Sequence, residues 1–201
     1  MIELRDVHKS YGAIQILSHI NVKVGEKECL AVIGKSGSGK TTLLKIMGTL
    51  AMPDKGSVTI FGVDVTKAGR EELVSIRRSI GFSFQQPLLL PYMSALENVM
   101  LASNIGKKEA IELLSFLGLN ERINHGPKKL SEGEKKRVDL ARALAKKPTI
   151  LIADEPFSNL DINRIEKVSN LINNFTKNGG TAIISSTGEV KLLNITHVIQ
   201  L

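Results

Sequence analysis

The sequence predicts an α/β fold: a mainly parallel sheet, an N-terminal antiparallel β part, and a helical subdomain inserted before the last strands. Three observations predict it. Apolar residues in the first third alternate with polar ones, the period of half-buried strands. Short solid apolar runs at Cys29–Ile33, Ile150–Ala153 and Ala182–Ile184 read as strands covered on both faces. Between about Gln85 and Arg142 the apolar residues fall instead at helical spacing.

Taken in order, Ile2 and Leu4, then Ile14, Ile16, Ile20, Val22 and Val24, share one parity and predict paired strands. The run Cys29–Ile33 is the first buried strand, and Thr42–Met47 follows as an apolar helix. Pro53-Asp54-Lys55-Gly56 predicts a turn before the alternating Val58 and Ile60. Helical spacing then covers Ser94–Ser103 and Lys107–Leu117. A helix over Arg164–Phe175 separates the last two buried runs, with a turn at Gly179-Gly180. The expected organisation is a single domain over 1–201, with a core of about 1–84 and 143–201 and a helical subdomain over 85–142.

Composition narrows the function. The chain has 201 residues, 42% hydrophobic and 23% charged, with neither low-complexity segments nor internal repeats. No apolar run approaches the ~18 residues of a membrane span, and MIELRDVHKS lacks a signal-peptide core, so a cytoplasmic protein is expected. A single cysteine, Cys29, leaves no internal disulfide. Aromatics are 4% and Trp is absent, which argues against a base-stacking platform; no nucleic-acid partner is expected. The net charge of +7 suits an anionic partner of some kind.

The residues Gly34-Lys35-Ser36-Gly37-Ser38-Gly39-Lys40-Thr41 satisfy G-x-x-x-x-G-K-[ST] between a buried strand and an apolar helix. Glycines let successive backbone N–H groups converge on phosphate oxygens, and the helix start adds its positive dipole end. Lys40 would neutralise the β- and γ-phosphates, with Thr42 also at the nucleotide, and the Thr41 hydroxyl is a hard oxygen ligand for Mg²⁺. Ile150–Ala153 ends in Asp154 and Glu155. Asp154 would hold Mg²⁺ through water and Glu155 would polarise the attacking water. The chain contains no Asn-Lys-x-Asp segment of the guanine-reading kind, which favours ATP over GTP.

On these residues the chain resembles the ATP-binding cassette (ABC) ATPases, over nearly its whole length, with a P-loop NTPase core. The resemblance implies further roles. Tyr11 is similar to the family's adenine-stacking aromatic, and Gln85 to its Q-loop glutamine, a contact of Mg²⁺ and the attacking water. Leu130-Ser131-Glu132-Gly133-Glu134 is similar to the family signature, with Ser131 and Gly133 matching and Glu132 and Glu134 departing. Those two acids weaken attraction for phosphate unless Lys135, Lys136 and Arg137 offset them. Ser131-x-x-Glu134 is also a capping box for the helix that follows. Ser158-Asn159-Leu160-Asp161 matches the D-loop, where Asp161 also suits a helix N-cap. Thr187 stands where the family's switch histidine belongs, and His197 comes ten positions too late to replace it. The local flavour looks most like the short ATPase subunits of lipoprotein-release, macrolide-export and cell-division systems.

The resemblance implies ATP and Mg²⁺ as cofactors and a composite site shared by two subunits, a homodimer or a heterodimer with a paralogue. It also implies separate membrane-spanning partner chains, with this subunit peripheral on the inner face of the cell membrane. Thr187 raises an alternative, an ATP-gated assembly module with little hydrolysis. A DNA-repair ATPase ranks last, because Thr41 to Ser131 spans 90 positions without sustained heptads. The eight basic residues of Lys128–Lys147 suit either an anionic surface or a solvated helix face.

Overall fold

The computed structural model describes residues 1–101, 104–188 and 190–201. The chain opens with a long hairpin, β1 (Ile2–Tyr11) and β2 (Ile14–Val24), and then enters β3 (Cys29–Ile33). Helix α1 (Lys40–Met47) follows, then β4 (Lys55–Ile60) and the short β5 (Val63–Asp64). Helix α2 (Arg70–Arg78) leads into β6 (Ile80–Ser83). The helical stretch contains α3 (Ala95–Leu101), α4 (Lys107–Phe116), two 3₁₀ turns at Asn120–Arg122 and Pro127–Lys129, and α5 (Glu132–Ala145). Strand β7 (Ile150–Ala153), helix α6 (Ile162–Lys177), β8 (Thr181–Ser186) and β9 (His197–Gln200) complete it. Ala102 and Ser103, the end of the helical stretch expected over Ser94–Ser103, lie outside the described residues.

Two sheets result. One is antiparallel in the order β2-β1-β4-β5, and the other is parallel in the order β6-β7-β8-β3-β9. Alternation along β3 shows why the buried runs are solid. Leu30 and Val32 pack with α1 and the antiparallel sheet, whereas Cys29 and Ala31 pack with residues of α3, α5 and α6. Both faces of the sheet are therefore covered, and all inner strands must be apolar on both. Burial removes Cys29 from solvent and pushes its thiol up to about 12.

The expected parity of β2 is corrected. Leu17 is buried and Ile14 is exposed, while Ile16 and Ile20 are half-buried. Register shifts between β1 and β2 add residues to one strand or the other, and each shift flips the side chains beyond it. The turn expected over Pro53–Gly56 is shorter, because Lys55 and Gly56 already belong to β4. Helix α2 escaped the sequence reading: among its nine residues only Ile76 is buried, so its apolar stripe is too thin to register.

Candidate functional site

All the inner parallel strands point their C-terminal ends to one edge, the place where open α/β sheets bind ligands. The glycine-rich turn leaves β3 there, Asp154 and Glu155 leave β7, Gln85 follows β6, and Ser185 and Ser186 close β8. The turn is tied to β8 by Gly34 N–H donating to the Ser186 carbonyl at 3.2 Å. Gly39 is the N-cap of α1 with φ +102°. A Cβ there would lie 2.9 Å from Ile16 Cγ2, so both conformation and space require glycine. Lys40 and Thr41 thus belong to the first turn of the helix, ahead of the expected start at Thr42.

The Lys40 ammonium is buried and donates to the carbonyls of Gly34 (2.8 Å) and Lys35 (3.0 Å). It also lies 3.3 Å from Glu155 Oε1. The Thr41 hydroxyl donates to Asp154 Oδ2 at 2.7 Å. Lys40, Thr41 and Glu155 line a cleft of about 190 Å³ together with Tyr11, Ser36, Gly37, Gly39, Thr42 and Gln85. Tyr11 is 52% exposed at the rim, with the Lys9 ammonium 5.5 Å from its ring centroid. Thr41 and Asp154 offer adjacent hard oxygens, a donor set that fits Mg²⁺. The Ser38 hydroxyl is buried in the turn with no hydrogen-bond partner among the described residues, a donor suited to an anion's oxygen.

Three residues at the site belong to no sequence motif. Ser185 donates to Asp154 Oδ1 at 2.5 Å and accepts from Glu155 N–H at 2.8 Å, so it orients both acids. Lys136 of α5 is buried and donates to the Glu155 carbonyl at 2.8 Å and to the Ser158 hydroxyl. Burial lowers its pKa, while the carboxylates of Glu155 and Asp154 oppose the shift. Asp139 accepts from Phe84 N–H at 2.8 Å, one residue before Gln85, and pairs with Arg142. Burial raises the Asp139 carboxyl above its ordinary range against those favourable partners. A basic run read along the sequence looks solvated; only packing reveals which of its members turn inward.

That packing corrects the reading of Lys128–Lys147. Lys136 and Arg137 are buried, Arg142 also donates to the Leu88 carbonyl, and Lys146 donates to the carbonyls of Arg77 and Ile80. Of the residues expected to offset the signature acids, Lys135 does so, whereas Lys136 and Arg137 turn inward and Arg122 takes the place beside Glu134. Glu134 pairs with Arg122 at 2.9 Å, and Glu132 pairs with Lys135 at 2.6 Å. Ser131 is the N-cap of α5 within a complete capping box, and Asp161 is the N-cap of α6. Gly133 is buried, and a Cβ there would lie 2.7 Å from the Asn159 carbonyl oxygen. Ser131, Gly133 and Asp161 are absent from the lining of the cleft. Thr187 is exposed beyond β8, and His197 pairs with Glu28 at 3.0 Å, at the opposite end of the sheet from the cleft.

A G-x-x-x-x-G-K-[ST] turn between strand and helix, with paired acids at the end of the next strand but one in the same sheet, defines a P-loop nucleoside triphosphatase. The family model described as "ABC transporter" matches residues 17–158. The lipoprotein-releasing system ATP-binding protein LolD of Bacteroides fragilis (strain YCH46) is 41% identical over 204 residues, covering 98% of this chain and 94% of the relative. LolD of Geobacter metallireducens (strain ATCC 53774 / DSM 7210 / GS-15) is 42% identical, covering 96% of this chain and 91% of the relative. A solved dimeric bacterial ABC transporter cassette, MJ0796, superposes with a TM-score of 0.91 at 36% identity, covering 100% of this chain and 94% of that one. The chain belongs to the ABC transporter family, as an ATP-binding and ATP-hydrolysing cassette. The alternative of an assembly module with little hydrolysis finds no support. The same cassette MJ0796 has been solved as a dimer in a post-hydrolysis state with ADP and Pi, with a TM-score of 0.91 at 34% identity.

Proposed function

We propose that this cassette powers transport through ATP-driven closure of two subunits, using the residues gathered at the edge of its parallel sheet. The observation that carries the reading is the single cleft holding Lys40, Thr41, Gln85 and Glu155 beside the Thr41–Asp154 pair. Gly34 to Thr42 cradle the phosphates, and Lys40 transfers its ammonium from loop carbonyls to the β- and γ-oxygens. Tyr11 stacks on the base from the rim. Glu155 orients the attacking water, helped by Gln85, while Ser185 and Lys136 hold its backbone. Thr41 and Asp154, with Gln85, hold Mg²⁺, which when bound neutralises phosphate charge.

Ser131 and Gly133 of one subunit face the γ-phosphate held by another, and Asp161 reports across the same interface. The helical subdomain of about 85–142 rides on a core of 1–84 and 143–201. Helix α5 crosses the second boundary unbroken and therefore couples the two. Among the described residues no helix is long and apolar enough to cross a membrane. Separate membrane-spanning subunits complete the transporter, with this chain on the cytoplasmic face. The resemblance to LolD proteins extends over nearly the whole chain and makes a lipoprotein-releasing system the best-supported setting.

Calorimetry with MgATP tests the site. Lys40→Ala should lose detectable binding, with the circular dichroism spectrum unchanged. Wild-type affinity in that variant would remove the cradle assignment.

A further inference from the structure

The antiparallel sheet carries a cluster of ligating side chains that the nucleotide site does not use. Asp6 Oδ1 lies 3.1 Å from His8 Nε2 and 2.7 Å from His19 Nδ1. One ligand atom from each of the three residues falls within 4.8 Å of the others. The two imidazoles meet edge-on, with ring centroids 4.3 Å apart.

The backbone builds this meeting. Between the pairs Leu4↔Val22 and Val7↔Ile20 strand β1 carries an extra residue, and between Val7↔Ile20 and Lys9↔Leu17 strand β2 does. Asp6 and His19 sit at these two irregularities with φ of +47° and +52°, left-handed conformations unfavourable for L-residues. One side chain clamps both: Asn21 Oδ1 accepts from Asp6 N–H at 2.9 Å, and Asn21 Nδ2 donates to the His19 carbonyl at 3.1 Å. The His8 side chain is mostly covered, while Asp6 and His19 are open to solvent. One ligand is therefore held firmly and the other two can be reached.

We propose that Asp6, His8 and His19 bind a divalent transition-metal ion, Zn²⁺ being the one their donors suit best, and that the ion ties β1 to β2 across the paired bulges. Two imidazole nitrogens and one carboxylate oxygen select borderline ions over Mg²⁺ or Ca²⁺. With Zn–N and Zn–O bonds of about 2.0–2.2 Å, neighbouring tetrahedral ligands stand about 3.3 Å apart. The separations from Asp6, 3.1 and 2.7 Å, fall below that and the imidazole nitrogens lie within 4.8 Å of each other, so rotation of the exposed Asp6 and His19 side chains is what must bring the three onto one ion. The fourth position faces solvent and takes water. The Thr41–Asp154 pair has the opposite preference, because it offers oxygen alone.

Titration of the nucleotide-free full chain with Zn²⁺ by calorimetry tests the site, with Co²⁺ absorption reporting the geometry. One equivalent should bind and raise the melting temperature. His19→Asn, which keeps a residue tolerant of left-handed backbone, should weaken binding at least about tenfold, as should His8→Gln. The Zn²⁺-dependent rise in melting temperature should vanish in both. Asp154→Asn and His197→Gln should bind Zn²⁺ as the wild type does. Absence of binding by the wild type would overturn the proposal. So would unchanged affinity in the folded His19→Asn protein, or a loss confined to Asp154→Asn or His197→Gln.

Discussion

At the residue scale, Lys136 spends its charge inside the protein, on the Glu155 carbonyl and the Ser158 hydroxyl. Glu155 follows β7 with φ +52°, a strained conformation that needs such support. Replacing the ammonium by a thioether of similar length removes the hydrogen bonds and the cost of burying the charge together. Lys136→Met should therefore keep its melting temperature within a few degrees while kcat falls at least about tenfold. Nucleotide affinity should stay within a few-fold, and steady-state kinetics beside thermal melts separate these effects. Thr187 poses the complementary case. It is exposed at the end of β8, so a larger ring meets no packed wall. Thr187→His supplies a donor that the resemblance assigns to the γ-phosphate, and one positioned donor is worth about 10²–10³ in turnover. A rise in kcat of at least about tenfold, with unchanged MgATP affinity, is the expected result. Equal rates for the two proteins would show that another donor already serves there. The roles of Ser185 and Lys136 had no signature in sequence, because a serine in TAIISS and a lysine in a basic run have many other uses.

At the element scale, α5 links the signature to the acids. Its N-terminus is capped by Ser131 and Glu134, its second residue Gly133 packs on the Asn159 carbonyl, and Lys136 one turn on reaches Glu155. The capping box was legible because Ser-x-x-Glu has a local cause. The packing of Gly133 on the loop after β7 was not, since the two segments are distant in sequence. A methyl group at position 133 must push aside a backbone oxygen, not a flexible side chain. Gly133→Ala should lower stability by about 1–3 kcal/mol through overpacking, despite the higher helix propensity of alanine. Chemical denaturation is the measurement, and a gain in stability would show that the loop yields freely. The β1–β2 hairpin gives the same lesson for strands. Its alternation was visible, but the register shifts that expose Ile14 and bury Leu17 follow from pairing with β1.

For the whole molecule, Ser131, Gly133 and Asp161 do not line the cleft of their own chain, and on the proposed reading they complete the site of a second subunit. Blocking water activation while preserving the cradle should therefore trap the assembled form. Light scattering of Glu155→Gln should find a monomer without nucleotide and a dimer with MgATP; a monomer in both conditions would argue against a closed homodimer. The sequence alone determined the α/β class, the buried parallel strands, the phosphate turn and its partner acids. Each has a short-range cause: period-2 or solid apolar patterning, glycines where backbone approaches phosphate, and acids directly after a buried strand. Tertiary structure alone decided which charges of α5 turn inward, that Ser185 and Lys136 hold Glu155, and that Asp6 meets His19 across two bulges. Those facts depend on strand order, register and the desolvation of particular atoms, which arise only when segments far apart in sequence are packed against one another.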